Sequence, residues 1–371
     1  MKTRAALIYQ APSPWLIEEV DLDEPKAGEV MVKMVATGLC HSDDHPTRSD
    51  ALVVRERPYC AGHEGGAIVV QVGPGVTTLQ EGDHILTPFI PACGYCRWCA
   101  SGDQQLCDHG RLYAASAQVD GTYRMHHNGN DVGTAALLGT FAEYQVLDER
   151  SCVKIDKDLP LDVVCLLSCG VPTGWGGAVH GGEIKPGDVV ICMGVGGVGI
   201  NSVQGAAHCG AAHVIAVDPV EFKRTESLKL GATEAFSNME EATEFARSIT
   251  NGQGADSTMI TTDVIRSEYV GQAFTSIRKG GTVVITAQGN YGSGMPINLF
   301  EISMYQKRIQ GNLSGMVSPR RSIPQLIDLY RSGPLKLDEL VTRRYKFDDL
   351  NQGFTDMLAG INLRGVVVFD S

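Results

Sequence analysis

No run of apolar residues reaches the ~18 that a membrane-crossing helix requires, so an integral helical membrane protein is not expected. No long run carries charge of one sign, and the net charge is −12. That leaves no basic footprint for nucleic acid or for an anionic membrane surface. There is no repeat of solenoid period and no low-complexity tract. The amino-terminal stretch has a basic start but lacks the apolar core of a signal peptide, and Pro12 and Pro14 follow within a few residues. It reads as a first β-strand. These absences point to a soluble, cytoplasmic protein with neither a nucleic-acid nor a membrane partner.

What is present is a chain of 371 residues, 43% of them hydrophobic. That suffices for sizeable cores and, from length, about two domains. Eleven cysteines are an odd number on a cytosolic-looking chain, which favours metal binding over a disulfide framework. Four of them fall within fifteen residues, Cys93-Gly94-Tyr95-Cys96-Arg97-Trp98-Cys99 and, after seven more, Cys107. Closely spaced thiols on a Gly-containing loop can wrap a tetrahedral zinc ion and leave no open position, which makes the site structural. An iron–sulfur cluster also uses two-residue gaps. In the bacterial ferredoxin pattern, however, the fourth cysteine comes three residues on and Pro follows. Here the gap is seven and Asp108 follows.

Residues 1 to about 90 read as short strands separated by turns, at 5–9, 16–20, 30–37, 66–72 and 84–87. Such spacing suggests a β-barrel-like domain. Inside it lies Gly38-Leu39-Cys40-His41-Ser42-Asp43-Asp44-His45, followed by Gly62-His63-Glu64-Gly65-Gly66 and, much later, Ser168-Cys169-Gly170. Cys40, His63 and Cys169 would form the three-ligand set of a catalytic zinc with an open fourth position. Spacing alone does not select these three from eleven cysteines and ten histidines. The local context supports them, with Asp43 available to orient a ligand and Glu64 beside His63. Further on, Asp120-Gly121-Thr122 is a hairpin signal. His126-His127-Asn128-Gly129-Asn130 reads as an exposed loop without metal, and 140–146 as a strand.

After Pro172 the pattern changes. A continuous apolar strand, Val189-Val190-Ile191-Cys192-Met193, leads directly into Gly194-Val195-Gly196-Gly197-Val198-Gly199, a small-residue helix over 200–209, a strand over 213–217 and then Asp218. Glycines in this spacing, after a strand and opening a helix, with an acidic residue about twenty positions on, are the dinucleotide fingerprint. Gly194 permits the tight turn, Gly196 lets the backbone approach the pyrophosphate, and Gly199 lets helix and strand pack closely. The helix N-terminus offers free N–H groups to phosphate. Asp218 would accept hydrogen bonds from the adenosine ribose and repel a 2′-phosphate, so NAD is favoured over NADP; Lys223 and Arg224 soften that preference. Strands and helices then alternate: helix 220–230, strand 232–236, helix 240–249, strand 256–261, helix 268–277, a turn at Lys279-Gly280-Gly281 and strand 282–287. This implies a doubly wound parallel sheet. The tail reads as a strand at 310–313, helices over 319–331 and 350–359, and a last strand at 365–369, packed back on the first domain.

In this order of motifs the chain resembles the zinc-containing medium-chain alcohol dehydrogenases over essentially its whole length, and within them the actinobacterial NDMA-dependent nicotinoproteins. The resemblance implies an α/β protein. A GroES-like β-barrel-type catalytic domain would span 1–171 and 312–371, and a Rossmann NAD-binding domain 172–311, with substrate in the cleft. It implies NAD and two zinc ions per chain. Cys40, His63 and Cys169 would hold the catalytic ion; Cys93, Cys96, Cys99 and Cys107 would hold the structural one. Glu64 would be a nearby or transient ligand, and Asp43 would orient His63. Ser42 would take the alcohol proton and pass it through the coenzyme ribose to His45. Phe89 would wall the substrate pocket, Thr173 would contact the nicotinamide end, and Arg364 would meet the pyrophosphate. His41 stands where several relatives carry an Arg facing the pyrophosphate, and a histidine is only partly charged near neutral pH.

The implied reaction is reversible oxidation of primary alcohols to aldehydes, with NAD retained between turnovers and an external redox acceptor, in a homodimer or homotetramer. A thiol-dependent formaldehyde dehydrogenase of the same superfamily is the alternative, for which Arg111 lies near the place of a carboxylate-binding Arg. A non-catalytic dinucleotide-binding relative would lack Cys40, Ser42, His63 and Cys169, all of which this chain keeps.

Overall fold

A computed structural model of the chain describes residues 1–48, 58–88, 91–289, 292 and 294–370, the side chains of 111 and 113–115 excepted. Two compact units emerge. The first is Met1–Cys169 with Ser318–Arg331 and Leu337–Ser371; the second is Gly170–Val317 with Ser332–Lys336. The sequence places the later boundary at 311/312. The second unit extends to Val317 because the Gly315 backbone lies where a Cβ on Gly176 would stand. No single helix among the described residues is long and apolar enough to cross a membrane.

The first unit is built on two sheets. One runs in the order Asn130–Asp131, Met125–His127, Leu16–Leu22, Lys2–Ile8, Tyr59–Cys60, Gly133–Thr134. The other runs Val153–Ile155, His84–Leu86, Gly65–Val72, Glu29–Gly38, Arg364–Val368, Val341–Lys346, with Tyr144–Asp148 also pairing Glu29–Gly38. Glu29–Gly38 is rich in Val and Met and largely buried along its length, as a strand covered on both faces requires. The chain's last strand joins it antiparallel, Val366 opposite Gly38 and Val368 opposite Ala36. That pairing carries Arg364 from the chain end to the segment just before Cys40. Trp15, Phe141 and Phe354 pack edge-on or tilted at 5.7–6.0 Å in the core beneath.

The second unit is a six-stranded parallel sheet, ordered Glu234–Phe236, His213–Val217, Val189–Met193, Ala255–Ile260, Ile277–Ile285, Arg308–Gly311. Numbered along the chain this is 3-2-1-4-5-6, the Rossmann order. Val189, Ile191 and Met193 belong to one apolar cluster and Val190 and Cys192 to another. Alternate side chains point to opposite faces of a strand, so the sheet is covered on both.

Several local expectations change. The His126–Asn130 stretch is not a loop but a tight hairpin, Met125–His127 pairing Asn130–Asp131. Asn128 and Gly129 take φ of 50° and 78°, the left-handed pair that a two-residue hairpin turn demands. Conversely, Asp120-Gly121-Thr122 is a turn closed by the Thr122 carbonyl accepting from Gln118, with no strand pair beside it. The expected strand at 140–146 begins only at Tyr144 and runs to Asp148. Lys279-Gly280-Gly281 does not precede its strand but bulges within it, since Ala255 faces Ile277 while Ser257 faces Thr282.

The glycine loop shows why its residues are small. Gly194 sits at φ 87°, a conformation glycine adopts without strain. A Cβ on Gly199 would lie 1.8 Å from the Gly194 carbonyl oxygen and 2.5 Å from Thr261 Oγ1. Gly199→Ala is therefore expected to lose about 1–3 kcal/mol of stability from overpacking. Denaturant unfolding of the variant, followed in parallel with dinucleotide binding, checks it; unchanged midpoint and affinity would contradict the close packing.

Candidate metal centres and coenzyme loop

The motif after Gly38 ends a strand and opens a short helix, His41–Arg48. Cys40 stands in the joint, and Ser42, Asp43 and His45 lie on the helix. His63 and Glu64 come just before the Gly65–Val72 strand. Cys169 follows the Cys165–Ser168 turn. These three separate segments bring a thiol, an imidazole, a carboxylate and a second thiol together: the donor atoms of Cys40, His63, Glu64 and Cys169 all lie within 4.8 Å of one another.

The surroundings fix each donor. His63 is buried, and its Nδ1 donates to Asp43 Oδ1 at 2.9 Å. Asp43 Oδ1 also accepts from the Gly62 backbone at 3.0 Å. The ring is thus held with Nε2 facing the thiols, the arrangement in which a carboxylate orients a metal-binding histidine. Ser42 donates to Cys40 Sγ at 3.2 Å, and its hydroxyl lies 3.5 Å from His63 Nε2. Glu64 is fully buried and ion-paired through Oε2 with Arg364, itself 3% exposed, while Glu64 Oε1 has no hydrogen-bond partner. An orphaned carboxylate oxygen beside two thiols and an imidazole suits a cation.

Electrostatics agree. A hydrogen bond from Cys169, together with the nearby His63 and Arg364 charges, holds the Cys40 thiol well below its ordinary range in spite of burial. Burial alone would lower His63, but the Asp43 carboxylate and Cys169 outweigh it and raise the ring well above its usual value. Burial lifts Glu64 to about 7 against the pull of Arg364. This is a site designed around charge, and a divalent ion is the group that its soft and nitrogen donors fit.

The four-cysteine lobe is a second donor set. Cys93, Cys96, Cys99 and Cys107 likewise have all their sulfurs within 4.8 Å. Backbone N–H groups point at those sulfurs, from Cys93 to Cys107 at 3.2 Å, Cys96 to Cys93 at 3.3 Å and His109 to Cys107 at 3.5 Å. Backbone donors from Asp108 and Cys99 draw the Cys96 thiol down to about 6. All eleven cysteines are free of disulfides. Among the described residues these two sets are the groups of His, Cys, Asp or Glu able to hold a metal ion.

In the second unit, Asp218 is tied at both oxygens. Oδ2 accepts from Val195 N–H at 3.1 Å and Oδ1 from Val220 N–H at 2.9 Å. That fixes the carboxylate at the rim of the glycine loop, with one lone pair on each oxygen still open. Lys223 Nζ lies 3.8 Å from where a Cβ on Gly196 would stand, which places an ammonium over the loop. Arg224 instead donates to the Asp218 and Pro219 carbonyls, at 2.7 and 2.9 Å. Gly197 accepts from Asn201 Nδ2 at 2.9 Å, and Val198 is the N-cap of the Gly199–His208 helix. Thr173 lies on Gly170–Gly176, its carbonyl taken by Asn312.

His41 and His45 share the helix with Ser42 and are half-buried. Arg364 belongs to the first unit, committed to Glu64 and to the Leu39 carbonyl at 3.2 Å. Phe89 and the Arg111 side chain lie outside the described residues. Sequence reasoning missed the hydroxyls around the His63 segment. Thr87 and Ser168 bond to Gly65, and Thr37 and Thr140 bond each other at 2.7 Å, Thr140 N–H also donating to the Gly62 carbonyl. Ser168 could have been noticed for adjoining Cys169; Thr87, Thr37 and Thr140 carry no sequence signal.

Comparison with known proteins follows the same division. Residues 26–157 match the alcohol dehydrogenase GroES-like domain and residues 197–332 the zinc-binding dehydrogenase domain. The chain is 46% identical to an NDMA-dependent alcohol dehydrogenase of Amycolatopsis methanolica, over 99% of both chains. It is 42% identical to alcohol dehydrogenase B of Mycobacterium tuberculosis, over 99% of this chain and 98% of the other. The crystal structure of benzyl alcohol dehydrogenase from Acinetobacter calcoaceticus superposes with a TM-score of 0.92 at 28% identity, covering 100% of both chains.

Removing the Asp43 carboxylate should weaken metal binding at the Cys40 centre about 10- to 100-fold. Asp43→Ala, titrated with zinc against a competing chelator, is expected to lose affinity at one ion while the four-cysteine ion is unaffected. Unaltered affinity at both would remove Asp43 from the role that its contact suggests.

Proposed function

This chain belongs to the zinc-binding alcohol dehydrogenase family, and from that membership we propose that it interconverts primary alcohols and aldehydes with NAD as the hydride partner. The observation that carries the reading is the convergence of Cys40, His63 and Cys169 with the Ser42 hydroxyl 3.2 Å from Cys40. Zinc held by those three side chains would supply Lewis-acid polarisation of the alcohol oxygen. NAD on the glycine loop would supply the hydride acceptor.

The rest is done by this chain's own groups. Ser42 would accept the alcohol proton. His45, three residues on along the same helix, where i and i+3 side chains are neighbours, would carry that proton toward solvent. Asp43 keeps the His63 ring in one orientation. The carboxylate of Asp218, already fixed by two backbone donors, is set to bond the adenosine ribose and to repel a 2′-phosphate, which supports NAD over NADP. Lys223 over Gly196 would add a positive charge near the pyrophosphate. The four-cysteine lobe would hold a second, structural zinc.

The Amycolatopsis methanolica relative is NDMA-dependent by name. On that likeness we read this chain as retaining NAD through turnover and passing electrons to an external acceptor. Leu299, Phe300 and Met304 are 75%, 61% and 62% exposed, on a helix that leads into Arg308–Gly311, the edge strand of its sheet among the described residues. An apolar group of this kind, beside a strand that ends its sheet among the described residues, supports a homodimer or homotetramer.

The deciding measurement is a metal and nucleotide count on protein purified without added cofactor. Two zinc ions per chain with NAD(H) surviving gel filtration are expected; a single zinc would refute one of the two centres, and freely lost nucleotide would refute retention. Ser42→Ala should lower kcat by about a hundredfold or more with folding and metal content kept, and wild-type turnover would remove Ser42 from proton transfer. For the assembly, Phe300→Asp is expected to lower the mass by light scattering to a smaller species, and an unchanged mass would place the interface elsewhere.

A further inference from the structure

The alcohol dehydrogenase reading leaves a pair of buried hydroxyls unused. Thr87 and Ser168, 0% and 3% exposed, meet on the backbone of one residue, Gly65. The Gly65 N–H donates to Thr87 Oγ1 at 2.9 Å. The Gly65 carbonyl accepts from Ser168 Oγ at 3.1 Å, from Thr87 N–H at 3.1 Å and from the Thr87 hydroxyl at 3.4 Å. The two are also joined to each other, Thr87 N–H reaching Ser168 Oγ at 3.3 Å. We infer that Ser168 and Thr87 form a clasp that positions Cys169 against His63 and Glu64, and thereby sets how tightly and in what geometry the Cys40–His63–Cys169 centre holds its metal.

The argument is one of placement. Ser168 immediately precedes Cys169, and Gly65 immediately follows Glu64. The clasp therefore lies one residue from a donor on one side and two residues from His63 on the other. Cys169 arrives from a turn, not a strand, and its own N–H reaches back only to Leu166, at 3.5 Å. The backbone there does not join the Gly65–Val72 ladder, so the serine hydroxyl makes the connection that a strand pair would otherwise make.

Apolar packing brings the Leu161–Ser168 stretch close. A Cβ on Gly66 would meet the Leu161 carbonyl at 2.8 Å and Cys165 at 3.3 Å. Burial of this kind is non-directional, however, and does not by itself fix a sulfur to a few tenths of an ångström. Hydrogen bonds have distance and angle preferences and do. Supporting partners of this type typically change metal affinity by 10- to 100-fold when removed. A bland structural role for Ser168, satisfying a buried carbonyl, predicts something different. Without Ser168 the Gly65 carbonyl still has the Thr87 N–H, so a modest loss of stability would be the whole effect.

The inference rests on the Cys40 centre being a metal site, and the test separates the two. Ser168→Ala and wild-type, both loaded with zinc, are challenged with a chelator while zinc release is followed with a colorimetric indicator; the four-cysteine ion is the internal reference. One ion is expected to leave Ser168→Ala about tenfold faster or more, with the other unchanged. The cobalt-substituted variant should also show shifted visible bands at that centre. Release at the wild-type rate with a superimposable cobalt spectrum would overturn the inference and leave the metal site standing. A wild-type protein holding only the four-cysteine ion would overturn both. If Ser168→Ala does not fold, Thr87→Val against Thr87→Ser decides. Faster loss only where the hydroxyl is gone supports the clasp, and equal rates in the two refute it.

Discussion

Asp43, His63, Glu64 and Arg364 stand almost wholly out of water, and each is tolerable there only because of the next. His63 donates to Asp43; Glu64 pairs with Arg364. A buried pair broken on one side leaves an uncompensated charge, at a cost of about 3–5 kcal/mol. The pairing of the chain's last strand meets this requirement. Arg364 can reach Glu64 because the chain's final strand pairs with Glu29–Gly38, the strand that delivers Cys40. The C-terminal segment is thus part of the donor site's electrostatics as well as of its sheet. The chain must leave for a whole second unit and return before the first is complete.

The second unit meets a milder version of the same constraint. Asp218 is 5% exposed, and its two oxygens are satisfied by backbone N–H groups from the glycine loop and from the start of the following helix. The residue that would select the coenzyme therefore also stitches the loop that would cradle it. Gly199 lets that loop close on itself, since a Cβ there would collide with the Gly194 carbonyl. Recognition and folding share the same bonds here, which is why the motif reads so clearly in one dimension.

Legibility tracks how local each device is. The four-cysteine lobe and the Gly194–Asp218 fingerprint are complete within short stretches, and their spacing carries the chemistry. Strands such as His213–Val217 were readable for the same reason, as continuous apolar runs between turn signals. Cys169 is different. Nothing in spacing binds it to Cys40 and His63, and only its place in a family-like order of motifs pointed to it. The hydroxyls of Thr37, Thr87 and Thr140 were invisible, because a buried threonine looks like any other until its partner's backbone is in view. The reverse error occurred at His126–Asn130. A polar, His-rich stretch suggested a loop, although Asn-Gly between two short runs is itself a strong hairpin signal.

Cysteine shows how far environment outweighs identity. Burial raises Cys60, Cys152 and Cys165, with Cys192 lifted to about 12, so that these thiols remain neutral and serve as small apolar residues. Burial acts on Cys40 in the same direction, yet it is pulled the other way by Cys169, His63 and Arg364. The apolar environment that keeps a lone thiol protonated also strengthens its interaction with nearby positive charge, because little water remains to screen it. A buried thiol far from cations stays protonated, whereas Cys40, hydrogen-bonded to Cys169 and beside His63 and Arg364, is drawn toward the thiolate. Arg364, brought in from the opposite end of the chain, helps decide on which side of that division Cys40 falls.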